Sequence, residues 1–321
     1  MKIGVITNPT PERHEGFRRA ASPDMDLTFV ADNATPEEMA SGLRDAEAIV
    51  LAAPTANLSV DVLRQCPNVK LVQSILAGYD RIDVKGMSEL GIPFANNGGS
   101  NAVPVAEHSL AMLLALGRGI VRGANSAREK RWNEGTRGKA TWELSGKRVG
   151  IVGLGPIGQA MARLLLGFGG ETVYYKRTPA PPEIESDLRA KYVSLDELMS
   201  TSDAIAVHLA LTPETRKLIG AREIGLMKPA AIIVNTSRGA VIDETALYEA
   251  LRDGKIAGAG LDVLEQEPTP VDNPMLDLEN VIVTPHMSGI SRESGPRSAR
   301  FSMENVRRAV LGEPIQSVIK P

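Results

Sequence analysis

The chain has 321 residues, of which 43% are hydrophobic and 23% charged, and its formal net charge at pH 7 is −3. This length favours two domains, since single hydrophobic cores rarely grow beyond about 250–300 residues, and the charge lacks the basic excess of nucleic-acid-binding proteins. No apolar run approaches the ~20 residues of a membrane-spanning helix, and one cysteine, Cys66, cannot form an internal disulfide or a cysteine-rich metal site. We expect a cytoplasmic globular protein without metal, membrane or nucleic-acid partners.

The first hundred residues alternate short β-branched runs with helix-forming segments. In chain order the runs are KIGVIT, LTFVA, AIVLAA, KLVQSI and IPFAN. This alternation predicts βαβ units and a parallel sheet. In the following segment, VPVAEHSLAMLLALGRGIVRGANSA, apolar residues are too dense for a surface helix, so it predicts one helix buried between two domains.

A second alternating series predicts a second α/β sheet. Its runs are RVGIVG, ETVYYK, AIAVHLA, AIIVNTS, GAGLDV and VIVTPH. The last segment, GPRSARFSMENVRRAVLGE, has helical spacing and predicts a helix that ends at Gly312. A return of this helix to the first sheet would make the first domain discontinuous in sequence. Cys66, near the end of a predicted helix, is expected to be a packing residue.

The stretch VGIVGLGPIGQAM places a glycine turn between a predicted strand and a predicted helix. Gly153, Gly155 and Gly158 match the G-x-G-x-x-G pattern of dinucleotide-binding turns. In that pattern the first glycine permits the tight turn, the second lets a pyrophosphate approach, and the third allows close helix packing. Pro156 and Ile157 then open a helix whose free amides would face the phosphates. A glycine turn without a ligand is the alternative.

Sites for NAD carry an acidic residue about 20 residues after this turn, where it binds the ribose 2′-hydroxyl. Here Lys176, Arg177 and Thr178 occupy that position. Two cations would attract the 2′-phosphate of NADP, and Arg177 could bind it through two hydrogen bonds. We therefore expect NADP(H) as the preferred cofactor, with NAD(H) as the alternative if this segment is only a solvated loop.

Three later segments carry polar residues directly after predicted strands. They are NTSRGAVIDETAL with Arg238, GLDVLEQEP with Asp262 and Glu267, and VTPHMSG with His286. In open α/β sheets, ligands bind at this carboxyl edge of the strands. The segments therefore predict a functional site at the edge of the second sheet.

With these segments, the chain resembles the D-isomer-specific 2-hydroxyacid dehydrogenase family over nearly its whole length. The resemblance is carried, in the family's order, by VAEHSLAMLLAL, GKRVGIVGLGPIG, VHLALTPETRKLIG, NTSRGAVIDETAL, LDVLEQEP, TPHMSG and ENVRRAVLGEP. It implies two Rossmann-like α/β domains: a discontinuous, flavodoxin-like substrate domain over residues 1–100 and 291–321, and a doubly wound dinucleotide-binding domain over 101–290. The active site would lie in the cleft between them.

The resemblance implies hydride transfer between a nicotinamide cofactor and a 2-oxo or 2-hydroxy acid. By position, Arg238 matches the arginine that binds the substrate carboxylate, His286 the acid/base, and Glu267 the carboxylate paired with that histidine. These residue types suit the reaction, because an imidazolium can protonate the carbonyl oxygen as hydride arrives. A carboxylate favours the imidazolium and orients it, and an arginine can bind a carboxylate through two hydrogen bonds.

Further contacts follow from the same resemblance. The backbone amides of Leu76, Ala77 and Gly78, in SILAGYDRID, are expected to bind the substrate carboxylate. The expected cofactor contacts beyond the glycine turn and the basic segment are Ala210, Thr236, Arg238, Asp262 and His286.

Two family branches fit less well. Phosphite dehydrogenases have a lysine where Ala77 stands, and formate dehydrogenases have glutamine where Glu267 stands. We therefore expect an NADP-preferring reductase most like the glyoxylate and hydroxypyruvate reductases, whose pocket wall at 51–54 leaves room for a larger side chain. The alternatives are an NAD-dependent dehydrogenase working oxidatively and a non-catalytic dinucleotide-sensing protein.

The sequence also carries expectations for two further histidines and for the oligomeric state. His208 is expected to line the cofactor domain without a catalytic role, and His108 to pack on the interdomain helix. The segment HSLAMLLALGRGIVRGANSAREKRWNEG resembles the helix and arm through which family members form homodimers. Trp132 would anchor that interface, or would pack within its own subunit.

Overall fold

The structure is a computed structural model that describes residues 1–53, 58–132 and 141–320. Two compact units are present: Met1–Asn101 with Ser291–Pro321, and Ala102–Ile290. Within the described ranges, no helix combines the length and apolar character that crossing a membrane requires.

Strands and helices alternate along most of the chain. The strands are β1 (Lys2–Thr7), β2 (Asp26–Ala31), β3 (Ala48–Leu51), β4 (Val72–Ser74), β5 (Phe94–Ala95), β6 (Arg148–Val152), β7 (Glu171–Tyr175), β8 (Ala190–Tyr192), β9 (Ala204–Val207), β10 (Ile232–Asn235), β11 (Gly258–Leu261), β12 (Val281–Val283) and β13 (Val318–Ile319). The α-helices are α1 (Pro11–Ala20), α2 (Pro36–Leu43), α3 (Val60–Leu63), α4 (Val84–Glu89), α5 (Ala102–Arg118), α6 (Ile120–Arg128), α7 (Pro156–Leu165), α8 (Pro182–Leu188), α9 (Leu195–Thr201), α10 (Ala221–Leu226), α11 (Glu244–Arg252) and α12 (Ser294–Leu311). Short 3-10 helices cover Leu166–Phe168, Gly239–Val241 and Pro274–Asp277.

The first unit is built on a six-stranded sheet in the order β13-β5-β4-β3-β1-β2. Its first five strands are parallel in the flavodoxin-like order, and β13 adds to the edge in the antiparallel direction. The apolar runs fill both faces. One face packs Ile3 and Val5 with Met303 and Val306 of α12, and the other buries Cys66 among the α2 and α3 side chains, as expected of a packing residue.

The second unit is built on a seven-stranded, all-parallel sheet in the order β12-β11-β10-β9-β6-β7-β8. This is the doubly wound order. Strands are added outward from β6 in one direction as far as β8, and then in the other direction from β9 to β12, so the strand order reverses between β6 and β9. Helix α5 packs against α7 and against β10 and β11. The predicted α/β class with two Rossmann-like sheets is confirmed.

Two features differ from the sequence-based expectation. The segment predicted as one apolar helix forms α5 and α6, because Gly119 adopts a left-handed conformation with φ +63° and interrupts the helix. The short strands β8 and β13 were not predicted. The C-terminal helix does end at Gly312, which has φ +75° and donates its amide to the Ala309 carbonyl oxygen.

Candidate active site

The glycine turn joins β6 to α7 at the point where the strand order reverses. Gly153 has φ +103°, a conformation that side chains rarely adopt, and a Cβ there would lie 2.7 Å from the His208 carbonyl oxygen. A Cβ on Gly158 would overlap the Gly153 carbonyl oxygen, so the third glycine permits close packing of helix and strand. At Gly155, a Cβ would meet no atom within 4 Å. The turn therefore keeps open space beside the second glycine.

The N-terminus of α7 faces this space without a capping side chain. Gly155 is the N-cap residue and Pro156 the first helical residue. No residue that the structure describes accepts a hydrogen bond from the amides of Ile157 or Gly158. Free amides at the positive end of a helix dipole suit a phosphate group. The turn therefore fits the pyrophosphate of a dinucleotide.

Lys176, Arg177 and Thr178 follow β7, which is the neighbour of β6. Lys176 is half-buried, whereas Arg177 and Thr178 are exposed, and within the described ranges neither cation has a carboxylate within 4 Å. Arg177 lies close enough to Glu214 for its charge to contribute to the lowered pKa of that carboxyl, whose main cause is a hydrogen bond from Thr212. The segment thus presents positive charge beside the turn.

Arg238 lies on a turn directly after β10 that is braced by buried Asn235. The Asn235 side chain donates to the Arg238 carbonyl oxygen at 2.9 Å and accepts from the Ser237 amide at 3.0 Å. The Arg238 guanidinium donates to the Ser237 carbonyl oxygen at 2.8 Å. At Gly239 a Cβ would overlap the backbone of Leu264. A glycine here therefore lets the Arg238 turn pack against the segment that leads to Glu267.

The carboxylate of Glu267 and the imidazole of His286 form a hydrogen-bonded pair. Glu267 Oε2 lies 2.7 Å from His286 Nδ1, while Oε1 accepts the Leu264 amide at 3.2 Å. Burial acts to raise the pKa of Glu267, whereas the hydrogen bond and charge of His286 lower it. The Leu264 amide and the charge of Arg238 lower the pKa further, so its net shift is downward. Glu267 is therefore ionised at neutral pH beside His286.

The backbone of His286 adopts an uncommon left-handed conformation with φ +50°. Its amide donates to the Asp262 carbonyl oxygen at 2.8 Å. The Asp262 carboxylate, which has no exposed surface, accepts the amides of Met287 and Ser288 at 2.9 Å each and the Thr284 hydroxyl at 2.6 Å. Asp262 thus positions the His286 loop, and its predicted cofactor contact stays a prediction.

Other predicted cofactor residues lie beside the same edge of the sheet. Thr236 is buried, with its hydroxyl 2.8 Å from Ser109 Oγ and 3.3 Å from His208 Nδ1. Ala210 accepts the Thr215 hydroxyl at 2.7 Å through its carbonyl oxygen. His208 is buried, and burial lowers its pKa to about 4.

The predicted substrate turn Leu76–Gly78 belongs to the first unit. The Leu76 amide donates to Ser74 Oγ at 3.0 Å, and the Leu76 carbonyl oxygen accepts the Asn97 amide at 3.1 Å. The Ala77 carbonyl oxygen accepts the Asn96 side chain at 3.0 Å. These bonds fix the turn, and its predicted contact with substrate stays a prediction. Of the predicted pocket wall at 51–54, Pro54 lies outside the described residues.

The second unit brings together Arg238, Asp262, Glu267 and His286, and sequence reasoning missed the groups that hold them in place. Asn235, Gly239 and Thr284 each lie within two residues of a predicted site residue, which is the only signal the sequence offers for them. In the part of the chain that the structure describes, no three His, Cys, Asp or Glu residues are grouped as a metal site would require.

Comparisons with known proteins show what this chain is similar to. The family model described as "D-isomer specific 2-hydroxyacid dehydrogenase, NAD binding domain" matches residues 110–288. A glyoxylate reductase of Korarchaeum cryptofilum is 37% identical over 96% of this chain and 92% of that protein. A hydroxypyruvate reductase of Thermotoga maritima is 38% identical over 85% of this chain and 87% of that protein.

A solved structure has the same fold along the whole chain. It is the acyclic imino acid reductase Bsp5 in complex with NADPH and D-Arg, and its TM-score to this structure is 0.85. The two chains are 27% identical, and the superposition covers all of both.

Proposed function

Because the chain belongs to the D-isomer specific 2-hydroxyacid dehydrogenase family, we propose that this NAD(P)-dependent oxidoreductase is an NADP(H)-preferring reductase of small 2-oxo acids such as glyoxylate or hydroxypyruvate. The observation that carries the proposal is the Glu267–His286 pair, 2.7 Å apart, with the charge of Arg238 acting on the same carboxylate. The two homologous reductases support this substrate class, and the basic segment after β7 supports the cofactor preference.

Each of the three side chains has a distinct task in this proposal. NADPH, held at the glycine turn and by Lys176 and Arg177, would supply the hydride from its nicotinamide. Arg238 binds the carboxylate of the substrate and so orients its keto group. His286, as an imidazolium, donates a proton to the carbonyl oxygen, where negative charge develops. Glu267 stays ionised, stabilises the imidazolium and orients the ring through Nδ1.

The first experiment follows oxidation of NADPH and NADH with glyoxylate, hydroxypyruvate, pyruvate and phenylpyruvate. We expect turnover with NADPH to exceed turnover with NADH. We expect His286→Asn to lose at least about a hundredfold in kcat, because the proton donor is gone, while NADPH binding measured by fluorescence titration persists. A His286→Asn variant that keeps wild-type turnover would contradict the proposed acid.

The cofactor preference is tested at Arg177. Arg177→Ala removes the proposed partner of the 2′-phosphate, so the Kd for NADPH should rise about tenfold, equal to about 1.4 kcal/mol, while the Kd for NADH stays within about twofold. Arg163→Ala is a matched control, since Arg163 is an exposed arginine near the other end of α7. An equal loss of affinity for NADPH and NADH would show that Arg177 does not bind the 2′-phosphate.

The same assays separate the alternatives. Better turnover with NAD⁺ and a 2-hydroxy acid would favour an oxidative NAD-dependent enzyme. Tight NADPH binding without turnover of any acid would favour a dinucleotide-sensing protein, although a sensor would not need Arg238, Glu267 and His286 together. The homodimer and the cytoplasmic location remain predictions.

A further inference from the structure

His108 on α5 reaches the loop that carries His286. Its Nε2 lies 3.0 Å from the Thr284 hydroxyl oxygen and 3.7 Å from Asp262 Oδ1. The Thr284 hydroxyl donates its proton to Asp262 Oδ1 at 2.6 Å. The Thr284 oxygen can therefore accept a hydrogen bond from His108, and Nε2 of His108 is the donor of that bond. A chain of hydrogen bonds thus leads from α5 to the buried Asp262 carboxylate.

Asp262 in turn restrains the backbone of His286 and of the two residues that follow it. Its carboxylate binds the amides of Met287 and Ser288, and its carbonyl oxygen binds the amide of His286. A left-handed conformation at a residue other than glycine is strained and persists only where surrounding contacts enforce it. The conformation of His286 therefore depends on the position of Asp262.

The side chain of His286 has little else to hold it. It is 45% exposed, and within the described ranges its side chain hydrogen-bonds to Glu267. A small rotation of the loop would lengthen that bond and turn the imidazole away from its working direction. The backbone restraint and the Glu267 contact therefore act together.

We propose that His108 is a positioning residue for His286, acting through Thr284 and Asp262. This inference rests on the proposed function, in which His286 donates the proton. Without the His108 donor, the Thr284 hydroxyl loses the partner that holds it toward Asp262. The loop at 284–288 then gains freedom, and His286 meets Glu267 less often in the productive geometry.

The experiment compares His108→Leu, which removes the donor, with His108→Gln, whose side-chain amide can still donate to Thr284. We expect His108→Leu to lower kcat/KM for the 2-oxo acid about tenfold, since small misplacement of a catalytic group is costly. The Kd for NADPH should stay within twofold of wild type. His108→Gln should recover most of the activity.

The split between kcat and KM separates positioning from a loss of substrate binding. A misplaced proton donor slows the chemical step, so His108→Leu should lose in kcat while KM for the 2-oxo acid stays within about twofold. Ser109→Ala is the matched control, because the neighbouring Ser109 bonds instead to Thr236 at 2.8 Å. It should leave the loop at 284–288 in place.

A double-mutant cycle with Thr284→Val tests the route. If His108 acts through Thr284, His108→Leu should add no further loss to a Thr284→Val background. Losses that multiply, or a His108→Leu variant with wild-type kcat/KM, would overturn the inference. A rise in the Kd for NADPH that accounts for the whole loss would do so as well.

Hydrogen exchange at 284–288 gives a readout that does not need turnover. The amides of Met287 and Ser288 should exchange faster in His108→Leu and remain protected in Ser109→Ala. Unchanged protection would overturn the inference even if the enzyme assay gave no rate. Failure of the proposed function is recognised separately, by a His286→Asn variant that keeps full activity.

Discussion

His208 is a buried imidazole that should make the protein sensitive to mild acid. Burial lowers its pKa from 6.5 to about 4, so between these values the unfolded chain binds a proton that the folded chain does not. The contribution of the neutral ring to stability is therefore complete above pH 6.5 and is lost as the pH falls toward 4. The loss is on the order of 2 kcal/mol between pH 7 and pH 5.

Replacing His208 by asparagine should remove this dependence. The asparagine amide can still bond to the Thr236 hydroxyl, and the lost Nε2 has no hydrogen-bond partner among the described residues. In urea unfolding, the free energy of unfolding of His208→Asn should therefore change less between pH 7 and pH 5 than that of the wild type. Equal changes in both proteins would assign the acid sensitivity to other groups.

At the scale of residues, the sequence predicts candidate side chains for the reaction but not the groups that support them. Arg238, Glu267 and His286 stand out because polar residues directly follow apolar strands. The supporting roles of Asn235 and Asp262 depend on loop conformations that bring an amide to a carboxylate across the sheet edge. The spacing of residues along the chain does not determine those loop conformations, so only the structure shows them.

Strand β7 places the basic segment through one buried tyrosine. Tyr174 donates its hydroxyl to Glu185 and accepts the Ala180 amide, both at 2.7 Å, so it fixes the loop after Lys176 and Arg177. Burial and the Glu185 carboxylate raise the pKa of Tyr174 to about 12. The hydroxyl therefore stays protonated and available as a donor at any pH where the protein works.

Tyr174→Phe should cost about 1–3 kcal/mol of unfolding free energy, because the buried Ala180 amide loses its partner. The freed loop should also raise the Kd for NADPH more than that for NADH. Urea unfolding and cofactor titration measure the two effects. Tyr192→Phe is the control, since Tyr192 packs edge-on against Tyr174 and its hydroxyl has no hydrogen bond within the described ranges. Losses of the same size in both variants would contradict the role given to the Tyr174 hydroxyl.

At the scale of elements, the predicted strands of both sheets were recovered and two short ones were missed. β8 has three residues and β13 has two, too few for an alternating pattern to stand out from a loop. The break between α5 and α6 was missed because it is made by the left-handed conformation of Gly119, in a segment whose composition is helical on both sides. Apolar periodicity reports which residues face a core, and says little about where a backbone turns.

At the scale of the whole molecule, the second unit carries exposed apolar side chains at which the predicted homodimer can be tested. Ile120 on α6 is 56% exposed, and Val103 on α5 and Val121 on α6 are about half exposed. Trp132, beyond the end of α6, is 83% exposed. Water contact at these groups is unfavourable, and large apolar residues are enriched at interfaces. Of the predicted arm AREKRWNEG, residues 127–135, the last three lie outside the described residues.

Ile120→Asp should therefore convert a dimer into a monomer of 34.3 kDa, measured by sedimentation equilibrium. A buried charge without a partner at the interface would oppose association by several kcal/mol. Val271→Asp is the control, because Val271 is 99% exposed on the same unit and lies far from α6 in the sequence. A wild-type protein that sediments at the monomer mass would contradict the predicted homodimer.

The split of the first unit along the chain also sets an order of events on the ribosome. The sheet face formed by Ile3 and Val5 is covered by Met303 and Val306 of α12, which are translated only after residues 102–290. At synthesis rates of about 5–20 residues per second, that interval lasts roughly ten to forty seconds. During it the nascent amino-terminal sheet presents an uncovered apolar surface, so a newly made chain should depend on chaperone protection until its last helix emerges.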